Sequence, residues 1–449
     1  MAAALLVAAP AMAAKVRPGY APTPGALCGG YPRAPIGMAK GFCAGIVVAP
    51  PPAGLFASKR MLHLPRTLLA LPNGAFLVVD LGAWVPGKGA VWLMTPHPGR
   101  QPDWMLLQER LDMPHMAALG PDGRFYLGEM SRIVRIDPAA TGPLTAPDVV
   151  VDGLPSNRLH PDRHPLSSFI FDTDNALLVN VGAGTDQCNA PPPANGGPCA
   201  EREGDRPHAA IWRFAYLGDG KWAQAPTVLA RGLRNSMGLV RHPSGAILQA
   251  ENGIDLVSAS EPYDAINRVV ADGDYGWPYC IDMGVPAPGW TSQAAHCAFV
   301  RRPVVLLPPH GAPLDLVYYH GAMFPQLEGK LLVTLHGYRA TGSRILALDV
   351  DAEGAPIAGA KATYEAYRRP GVGPTRLPYR GPGPVAFNLT PNWDALKGVR
   401  PAGSPVGLAI AADGAIWVAE DRNGAILRIA WDGPKPAGPF APSPPGAGR

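Results

Sequence analysis

The feature that most constrains the fold of this chain is a recurring unit of two apolar strands joined by a tight turn. Each unit contains an apolar run, a turn, a second apolar run and a short third one. The clearest turns carry residues that tolerate positive φ angles, and they are Asn73-Gly74, Asp122-Gly123, Asp174-Asn175 and Asp413-Gly414. Turns of this composition connect antiparallel neighbours. The pattern therefore predicts a chain built largely from short antiparallel strands.

Six such units follow one another at spacings of about 50 to 90 residues. They begin near Thr67, Met116, Ser168, Leu239, Leu314 and Val406. Their strands show little polar alternation, as expected when each sheet is packed on both faces. We therefore predict an all-β fold, a six-bladed β-propeller of four-stranded antiparallel blades, in which residues 45–48 form a strand that helps to close the ring. A tandem of β-sandwiches is the alternative, but no linker separates the units.

The composition agrees with this architecture. The 53 glycines and 54 prolines favour turns and short strands over long helices. The net charge of +4 is small for 449 residues and is not concentrated in a basic run, so a nucleic-acid-binding role has little support.

The two ends of the chain differ from the repeats. Residues 1–14 are apolar and end in Ala11-Met12-Ala13, a small-residue pattern suited to signal peptidase, although no basic residue precedes Lys15. We expect a signal peptide over residues 1–14, a propeller domain over residues 15–433 and a Pro/Gly-rich tail over residues 434–449. The expected location is therefore periplasmic or secreted.

The six cysteines suit an exported protein, because they fall into three pairs that are close in sequence. These pairs are Cys28 with Cys43, Cys188 with Cys199, and Cys280 with Cys297. We predict that each pair forms a disulfide bond, the alternative being buried free thiols.

Several linked motifs lie in order between residues 231 and 280. They are Leu233-Arg234-Asn235, Gly238-Leu239, Asn252-Gly253-Ile254 after a strand, Asp264-Ala265-Ile266-Asn267 and Tyr275-Gly276-Trp277-Pro278. This series resembles the soluble quinoprotein sugar dehydrogenases, the family of soluble glucose dehydrogenase, aldose sugar dehydrogenase and sorbosone dehydrogenase-like proteins. The resemblance implies pyrroloquinoline quinone (PQQ) and Ca²⁺ as cofactors and an aldose or related sugar as substrate. Electrons would pass on to a soluble cytochrome or to the membrane quinone pool.

The resemblance also implies site residues. His164 stands where the family has the general base, although Arg163 replaces the family's Asp, and His160 is a competing candidate. A histidine suits this step because its pKa lies near working pH. Arg234 and Asn235 match the pair that contacts the quinone, and Arg234 would also polarise it during catalysis.

The implied metal ligands are main-chain carbonyls. Gly253 and Ile254 stand where the family supplies two such oxygens to calcium, a cation that accepts this kind of donor. Asp255 and Glu251 could add carboxylates.

Three departures from the family pattern affect the other cofactor contacts. His336 or Arg339 would replace the lysine with which glucose dehydrogenases meet the cofactor. Met113-Pro114-His115 replaces a Gln-Asn-Gly-Leu-Leu-Gly run, which makes His115 a further predicted cofactor contact. The paired arginines before the last blade are missing, since Gly403-Ser404-Pro405 lies there.

Two other functions stay open at this point. A calcium-dependent lactonase of the same six-bladed shape would need side-chain carboxylates and asparagines around an axial metal. A non-catalytic propeller that binds carbohydrate or protein would be compatible with the missing arginines.

Overall fold

The computed structural model describes residues 22–48, 62–137, 146–155, 164, 168–188, 197–337, 339–366, 374–391, 393 and 403–433. Six antiparallel sheets account for most of the regular structure in this part of the chain. Helical segments there are limited to three or four residues, and they are Ala200–Arg202, Thr291–Gln293, Ala294–Cys297 and Pro325–Leu327. The predicted six-bladed β-propeller is confirmed.

Each blade has four strands, and the first strands of adjacent blades contact one another around the axis. From first to fourth strand, blade one consists of Pro65–Ala70, Phe76–Asp80, Gly89–Thr95 and Asp103–Leu111. Blade two consists of Ala117–Leu119, Phe125–Gly128, Ile133–Ile136 and Asp148–Val151. Blade three consists of Phe169–Phe171, Leu177–Val181, Ala210–Phe214 and Thr227–Arg231. Blade four consists of Ser236–Arg241, Ile247–Glu251, Asp264–Val269 and Val305–Leu307. Blade five consists of Pro313–Tyr318, Leu331–Leu335, Arg344–Leu348 and Ala386–Asn388. Blade six consists of Pro405–Ile410, Ile416–Glu420, Ala425–Trp431 and Phe42–Val48.

The ring closes in blade six. Phe42–Val48 is the fourth strand of this blade and pairs antiparallel with Ala425–Trp431, so that Phe42 lies opposite Trp431 and Ile46 opposite Leu427. The strand predicted at residues 45–48 is therefore real and starts three residues earlier. Both ends of the described chain are held in one sheet.

The blades are joined by apolar clusters that lie between neighbouring sheets. Leu248 and Ile266 of blade four pack in one cluster with Leu316, Leu331 and Leu346 of blade five. Because each sheet is covered on both faces, second strands such as Phe76–Asp80 are buried along their whole length. This explains the weak polar alternation of the sequence units.

Several small elements extend from the blades. Gly273–Asp274 adds a fifth, parallel strand to blade three. Four short hairpins are formed by Leu27–Cys28 with Tyr31–Pro32, Tyr216–Gly218 with Lys221–Trp222, Cys280–Ile281 with Val285–Pro286, and Thr363–Ala366 with Thr375–Pro378. The sequence units did not predict them.

Antiparallel topology separates two faces of the ring. The turn between the first and second strand of a blade lies on one face, and it carries the positive-φ residues Gly74, Gly123, Asn175, Gly245 and Gly414. The loop that leads into a blade and the loop between its second and third strands lie on the opposite face. We call this second face the loop face, and it collects the polar motifs of the sequence.

All three predicted disulfide bonds are present: Cys28–Cys43, Cys188–Cys199 and Cys280–Cys297. Such bonds are typical of proteins in oxidising compartments outside the cytoplasm. Residues 1–21 and 434–449 lie outside the described residues, so the signal peptide, the tail and the domain limits stay predictions. In the described part of the chain, the longest helices fall far short of a membrane span.

Candidate functional site

The polar residues of the loop face form two contact groups near the axis. One is built from blades three and four around Arg234, and we call it the Arg234 group; its members are His164, Asp186, Arg234, Asn235, Gly253, Ile254 and Asp255. The other comes from blades one, two, five and six, and we call it the Arg66 group; its members are Arg66, His115, His336 and Asp421.

The guanidinium of Arg234 is buried between two carboxylates. Its Nη2 lies 2.7 Å from Oδ1 of Asp186 and 3.4 Å from Oδ2 of Asp255, and its Nη1 donates to the carbonyl of Asn252 at 3.2 Å. Ion pairs of this kind fix the direction of the planar guanidinium group. The predicted quinone contact is thus a positive charge with a defined orientation.

Asp186 is a site residue that sequence reasoning missed. Its carbonyl accepts a hydrogen bond from Nε1 of Trp277 at 2.9 Å, and its Oδ1 accepts the backbone N–H of Asp255 at 3.0 Å. Asp186 lies in the loop that follows the second strand of blade three, Leu177–Val181, on the loop face. This position after an apolar strand is the sequence feature that could have indicated Asp186 as a site residue.

The backbone that carries Arg234 is held by Glu251. Oε1 of Glu251 accepts the N–H groups of Arg234 and Asn235 at 2.6 and 3.3 Å, and Oε2 accepts Nε2 of Gln249 at 2.5 Å. Burial raises the pKa of this carboxyl to about 7, although the two backbone donors and the Arg234 charge act in the opposite direction. Both oxygens of Glu251 are therefore used within the protein.

Asn235 supplies an amide with an unmet bond. Its Oδ1 is buried and has no hydrogen-bond partner among the described residues. Because buried polar atoms in native proteins are nearly always paired, this oxygen has capacity for a further hydrogen bond or cation. The predicted role of Asn235 as a cofactor contact is compatible with this observation.

The loop of Gly253 and Ile254 is anchored on both sides. Asp264 accepts the N–H of Gly253 at 2.9 Å through Oδ1 and the N–H of Ala312 at 2.7 Å through Oδ2. Burial raises the pKa of Asp264 to about 7. The side chain of Ile254 is buried in a cluster with Trp277, so an isoleucine here serves as an apolar anchor for the loop.

His164 is nearly buried, with 7% of its surface exposed. Its Nδ1 lies 3.0 Å from the carbonyl oxygen of Ala183, and a carbonyl can only accept, so Nδ1 carries the proton. In the neutral ring Nε2 is then the basic nitrogen. A Cβ at Gly182 would lie 2.6 Å from Cβ of His164, so the close contact requires glycine at that position.

The structure brings His164, Arg234 and Gly253 into one region. The N–H of Ala183, whose carbonyl contacts His164, donates to the carbonyl of Arg234 at 2.8 Å. Arg234 in turn contacts the carbonyl of Asn252, the residue before Gly253. The competing candidate His160, together with Arg163, lies outside the described residues.

The Arg66 group is a buried chain of four side chains from four blades. Nε and Nη2 of Arg66 contact Nε2 of His115 at 2.8 and 2.6 Å, and Nη1 pairs with Oδ2 of Asp421. Nε2 of His336 contacts Oδ1 of the same Asp421 at 2.9 Å. Arg66 and His115 also line a small axial cavity.

The protonation states in this group follow from its contacts. Burial, together with the charge of Arg66 and the neighbouring His336, lowers the pKa of His115 well below its usual value. Burial alone would raise the pKa of Asp421, but His336 and Arg66 together outweigh it and lower that pKa. His115 is therefore a neutral acceptor for Arg66, and it takes part in the site through Arg66.

Arg339 makes its hydrogen bonds to the loop that follows Gly253. It is exposed, and its Nη1 donates to the carbonyls of Leu256 and Ser258 at 2.9 and 3.3 Å. Of the two residues predicted in place of the family's lysine, His336 thus joins the Arg66 group, whereas Arg339 ties down the loop that follows Gly253.

Arg66 and Asp421 were also missed by sequence reasoning. A charged residue within the apolar first strand Pro65–Ala70 is costly to bury unless it is paired, and this was the available signal. Trp84, 39% exposed on the loop face, lies over the guanidinium with its ring centre 5.6 Å away.

Comparison with known structures gives the same architecture. The holo form of the PQQ domain of pyranose dehydrogenase from Coprinopsis cinerea matches 90% of this chain and 99% of its own, with a TM-score of 0.61 and 21% identity. A calcium structure of a family AA12 carbohydrate-active enzyme from Trichoderma reesei covers 88% of this chain and 97% of its own, with a TM-score of 0.62 and 18% identity. The PQQ-bound aldose sugar dehydrogenase from Streptomyces coelicolor covers 88% and 99%, with a TM-score of 0.53 and 16% identity.

Sequence comparison identifies the family. An uncharacterized protein of Borreliella burgdorferi is 31% identical over 133 residues, which are 28% of this chain, so the chain spans 35% of the length of that curated relative. The family model for glucose/sorbosone dehydrogenase matches residues 128–358, just over half of the chain. The chain therefore belongs to the glucose/sorbosone dehydrogenase family.

Proposed function

We propose that this protein is a periplasmic or secreted sugar dehydrogenase that uses PQQ and Ca²⁺. The observation that carries the proposal is the contact path from His164 through Ala183 and Arg234 to the Gly253 loop. Residues with three different chemical roles come from loops of two blades and meet on the loop face. The three disulfide bonds support an oxidising compartment.

The residues near the axis suit PQQ, which has three carboxylates and an ortho-quinone. Arg234 would hold a quinone or carboxylate oxygen, and Oδ1 of Asn235, which has no partner among the described residues, could accept a donor or a cation. His336 and His115 border the axis from the other blades and would contribute to the cofactor site there, His115 through its contact with Arg66. Arg339 would act on the cofactor site through the loop that it ties down.

The Gly253 loop suits Ca²⁺. Calcium prefers oxygen donors, and main-chain carbonyls are common among them. Gly253 and Ile254 would supply such oxygens, while Asp186 and Asp255 lie beside the same loop and add negative charge. A divalent cation would relieve the repulsion between these two carboxylates, which Arg234 alone now offsets.

When bound, PQQ would supply the hydride acceptor and Ca²⁺ the electrophile that polarises it. His164 would accept the proton of the substrate hydroxyl at Nε2, and the Ala183 carbonyl would stabilise the resulting imidazolium through Nδ1–H. A positioned base of this kind contributes about 10²- to 10⁴-fold to the rate. Arg234, held by Asp186, would stabilise negative charge as it develops.

The lactonase alternative has less support. Its metal would need carboxylates free to act as ligands, whereas Asp421 and Asp186 are each paired with a buried guanidinium. The non-catalytic alternative does not explain why the Ala183 carbonyl fixes the tautomer of His164 that has a basic Nε2.

The test is reconstitution of the purified protein with PQQ and Ca²⁺, followed by bound-quinone absorbance and dye reduction with a panel of aldoses. We expect both signals from the wild type, and dye reduction to be lost in His164→Ala. Absence of bound quinone would contradict the proposal. Hydrolysis of lactones with Ca²⁺ alone would favour the lactonase instead.

A second measurement concerns the electron acceptor. With turnover established, a soluble cytochrome c and a water-soluble ubiquinone analogue are each offered as the oxidant. Reduction of either one supports transfer to a cytochrome or to the quinone pool, and reduction of neither contradicts that part of the proposal.

A further inference from the structure

A carboxylate at the end of the second strand recurs in four blades. In each blade it accepts backbone N–H groups from the loop that leads into the same blade. The pairs are Asp80 with His63 and Leu64, Glu129 with Asp112, Glu251 with Arg234 and Asn235, and Glu420 with Ser404. The recurrence shows that this contact is a rule of the fold and not a local accident.

Blade four uses the contact differently from blades two and six. The second oxygen of Glu129 pairs with Arg132, and that of Glu420 contacts Asn423, each three residues further along the chain. The second oxygen of Glu251 is instead held by Gln249, whose own Oε1 accepts Nδ2 of Asn267 at 2.8 Å. The Glu251 carboxylate is therefore fixed by Gln249 of its own strand, which Asn267 of the adjacent strand holds in turn.

The loop held by Glu251 carries the predicted quinone contacts. Its 2.6 Å bond to the N–H of Arg234 and its 3.3 Å bond to the N–H of Asn235 fix the start of both side chains. Asp186 fixes the far end of Arg234. With both ends held, the guanidinium can take one direction only, which is the preorganisation that binding sites require.

We propose that Glu251 is a positioning residue that sets the place of Arg234 and Asn235 for an anionic ligand on the axis. It does so through backbone contacts and does not touch the ligand. The naming of that ligand as PQQ rests on the proposed function, whereas the effect on the loop does not. Glu420, by contrast, holds its loop at Ser404, which is not among the predicted cofactor contacts.

The test compares Glu251→Gln with Glu420→Gln, a matched control in blade six. In Glu251→Gln the new amide nitrogen faces the Nε2 of Gln249, so the fixed geometry is lost although the size is kept. Glu420→Gln removes the same charge where the loop carries Ser404. If Glu251→Gln does not fold, Glu251→Asp, which keeps the charge but shortens the reach, takes its place.

Two measurements decide the outcome. In ligand-free protein, hydrogen exchange at the amides of Arg234 and Asn235 should become faster in the Glu251 variant, and that of Ser404 only in the Glu420 variant. In an absorbance titration with Ca²⁺ present, the Glu251 variant should bind PQQ about 10-fold more weakly, or about 1.4 kcal/mol, and the Glu420 variant within about 2-fold of wild type.

Each contrary result has a defined meaning. Unchanged exchange at Arg234 and Asn235, or equal losses of PQQ affinity in both variants, would overturn the positioning role of Glu251. If the wild type binds no PQQ, the proposed function fails. Exchange in the ligand-free protein then decides alone whether Glu251 fixes the loop.

Discussion

The Arg234 group and the Arg66 group lie on the same face of the ring but have opposite characters. In the Arg66 group every charged side chain is buried and paired with another member of the group. In the Arg234 group the amide oxygen of Asn235 has no partner in the part of the chain that the structure describes, and the side chain of Asp255 is 73% exposed. One group is closed and the other has capacity to bind a partner.

This difference indicates that one group stabilises the ring and the other binds the ligand. A closed set of charges contributed by four blades fixes those blades relative to one another. An open set contributed by two adjacent blades can exchange contacts with a ligand without loosening the ring. We therefore expect changes in the Arg234 group to act mainly on turnover and ligand affinity, and changes in the Arg66 group to act mainly on stability.

The largest expected effect separates chemistry from folding. His164→Ala should lower kcat by about 10²- to 10⁴-fold, because it removes the proposed base. His164 contacts the carbonyl of Ala183, and its proposed role is proton transfer and not cofactor binding, so PQQ affinity should stay within about 3-fold of wild type, less than the tenfold that a loss of 1.4 kcal/mol would give. Steady-state dye reduction and absorbance titration measure both quantities, and a variant with wild-type kcat would remove His164 from the mechanism.

The second effect concerns the closed group. Arg66→Met leaves the Asp421 carboxylate buried without its guanidinium, and breaking such a pair costs about 3 to 5 kcal/mol. Arg234→Met should cost less, because Asp255 is exposed to water and Asp186 keeps the N–H of Asp255 and the side-chain amide of Gln187 as donors. Urea unfolding of the two variants makes the comparison, with Arg100→Met, which breaks an exposed pair with Asp103, as a control expected to unfold like the wild type. Equal losses of unfolding free energy in Arg66→Met and Arg234→Met would contradict the assignment of stability to the Arg66 group.

A smaller effect is a pH dependence carried by His115. Its pKa is lowered in the folded protein, so below about pH 6.5 the unfolded chain binds a proton that the folded chain does not. The contribution of His115 to the free energy of unfolding is therefore present above pH 6.5 and declines as the pH falls. Arg66 and His336 both face this ring and oppose its protonation.

The measurement is the free energy of unfolding of wild type and His115→Gln between pH 7.5 and 5, for which about 1.4 kcal/mol per pH unit is the limit for one group. The difference between the two proteins isolates His115 from Glu251 and Asp264, whose raised pKa values act in the opposite direction. A difference that does not change with pH would contradict the neutral state of His115.

The smallest effect belongs to the exposed edge of the open group. Asp255→Asn removes a carboxylate that lies 3.4 Å from Arg234 and is mostly in water, so stability should change by less than about 1 kcal/mol. Thermal unfolding measures this, with Asp186→Asn as the buried comparison, which should lose more. If Asp255→Asn lost more stability than Asp186→Asn, Asp255 would not be the solvent-exposed carboxylate of the Arg234 group.

The sequence predicted the first three strands of the blades better than the fourth. The first and second strands are buried on both faces and read as apolar runs between turns, as in Thr67 to Val79 of blade one. The fourth strand Asp103–Leu111 alternates between exposed and buried positions and carries charged residues, so it did not stand out. The four small hairpins were missed for a different reason, because each of their strands covers only two to four residues.

The two site groups differ in the same respect. The motifs around Arg234 lie within about fifty consecutive residues, which made their order recognisable by the resemblance to the family. Arg66 and Asp421 are 355 residues apart, and only closure of the ring brings them together. The sequence offers Glu251 as a further carboxylate for the metal, but one of its oxygens accepts two backbone amides and the other the side chain of Gln249, contacts that no local pattern indicates.

The pairing of Phe42–Val48 with Ala425–Trp431 has a consequence for biosynthesis. During translation, the guanidinium of Arg66 is made 355 residues before its partner carboxylate on Asp421. Until that residue and the strand Ala425–Trp431 have been synthesised, the nascent polypeptide carries an unmatched cation and an open sheet edge, and unpaired sheet edges promote aggregation. We therefore expect the nascent chain to need chaperone protection until blade six can close.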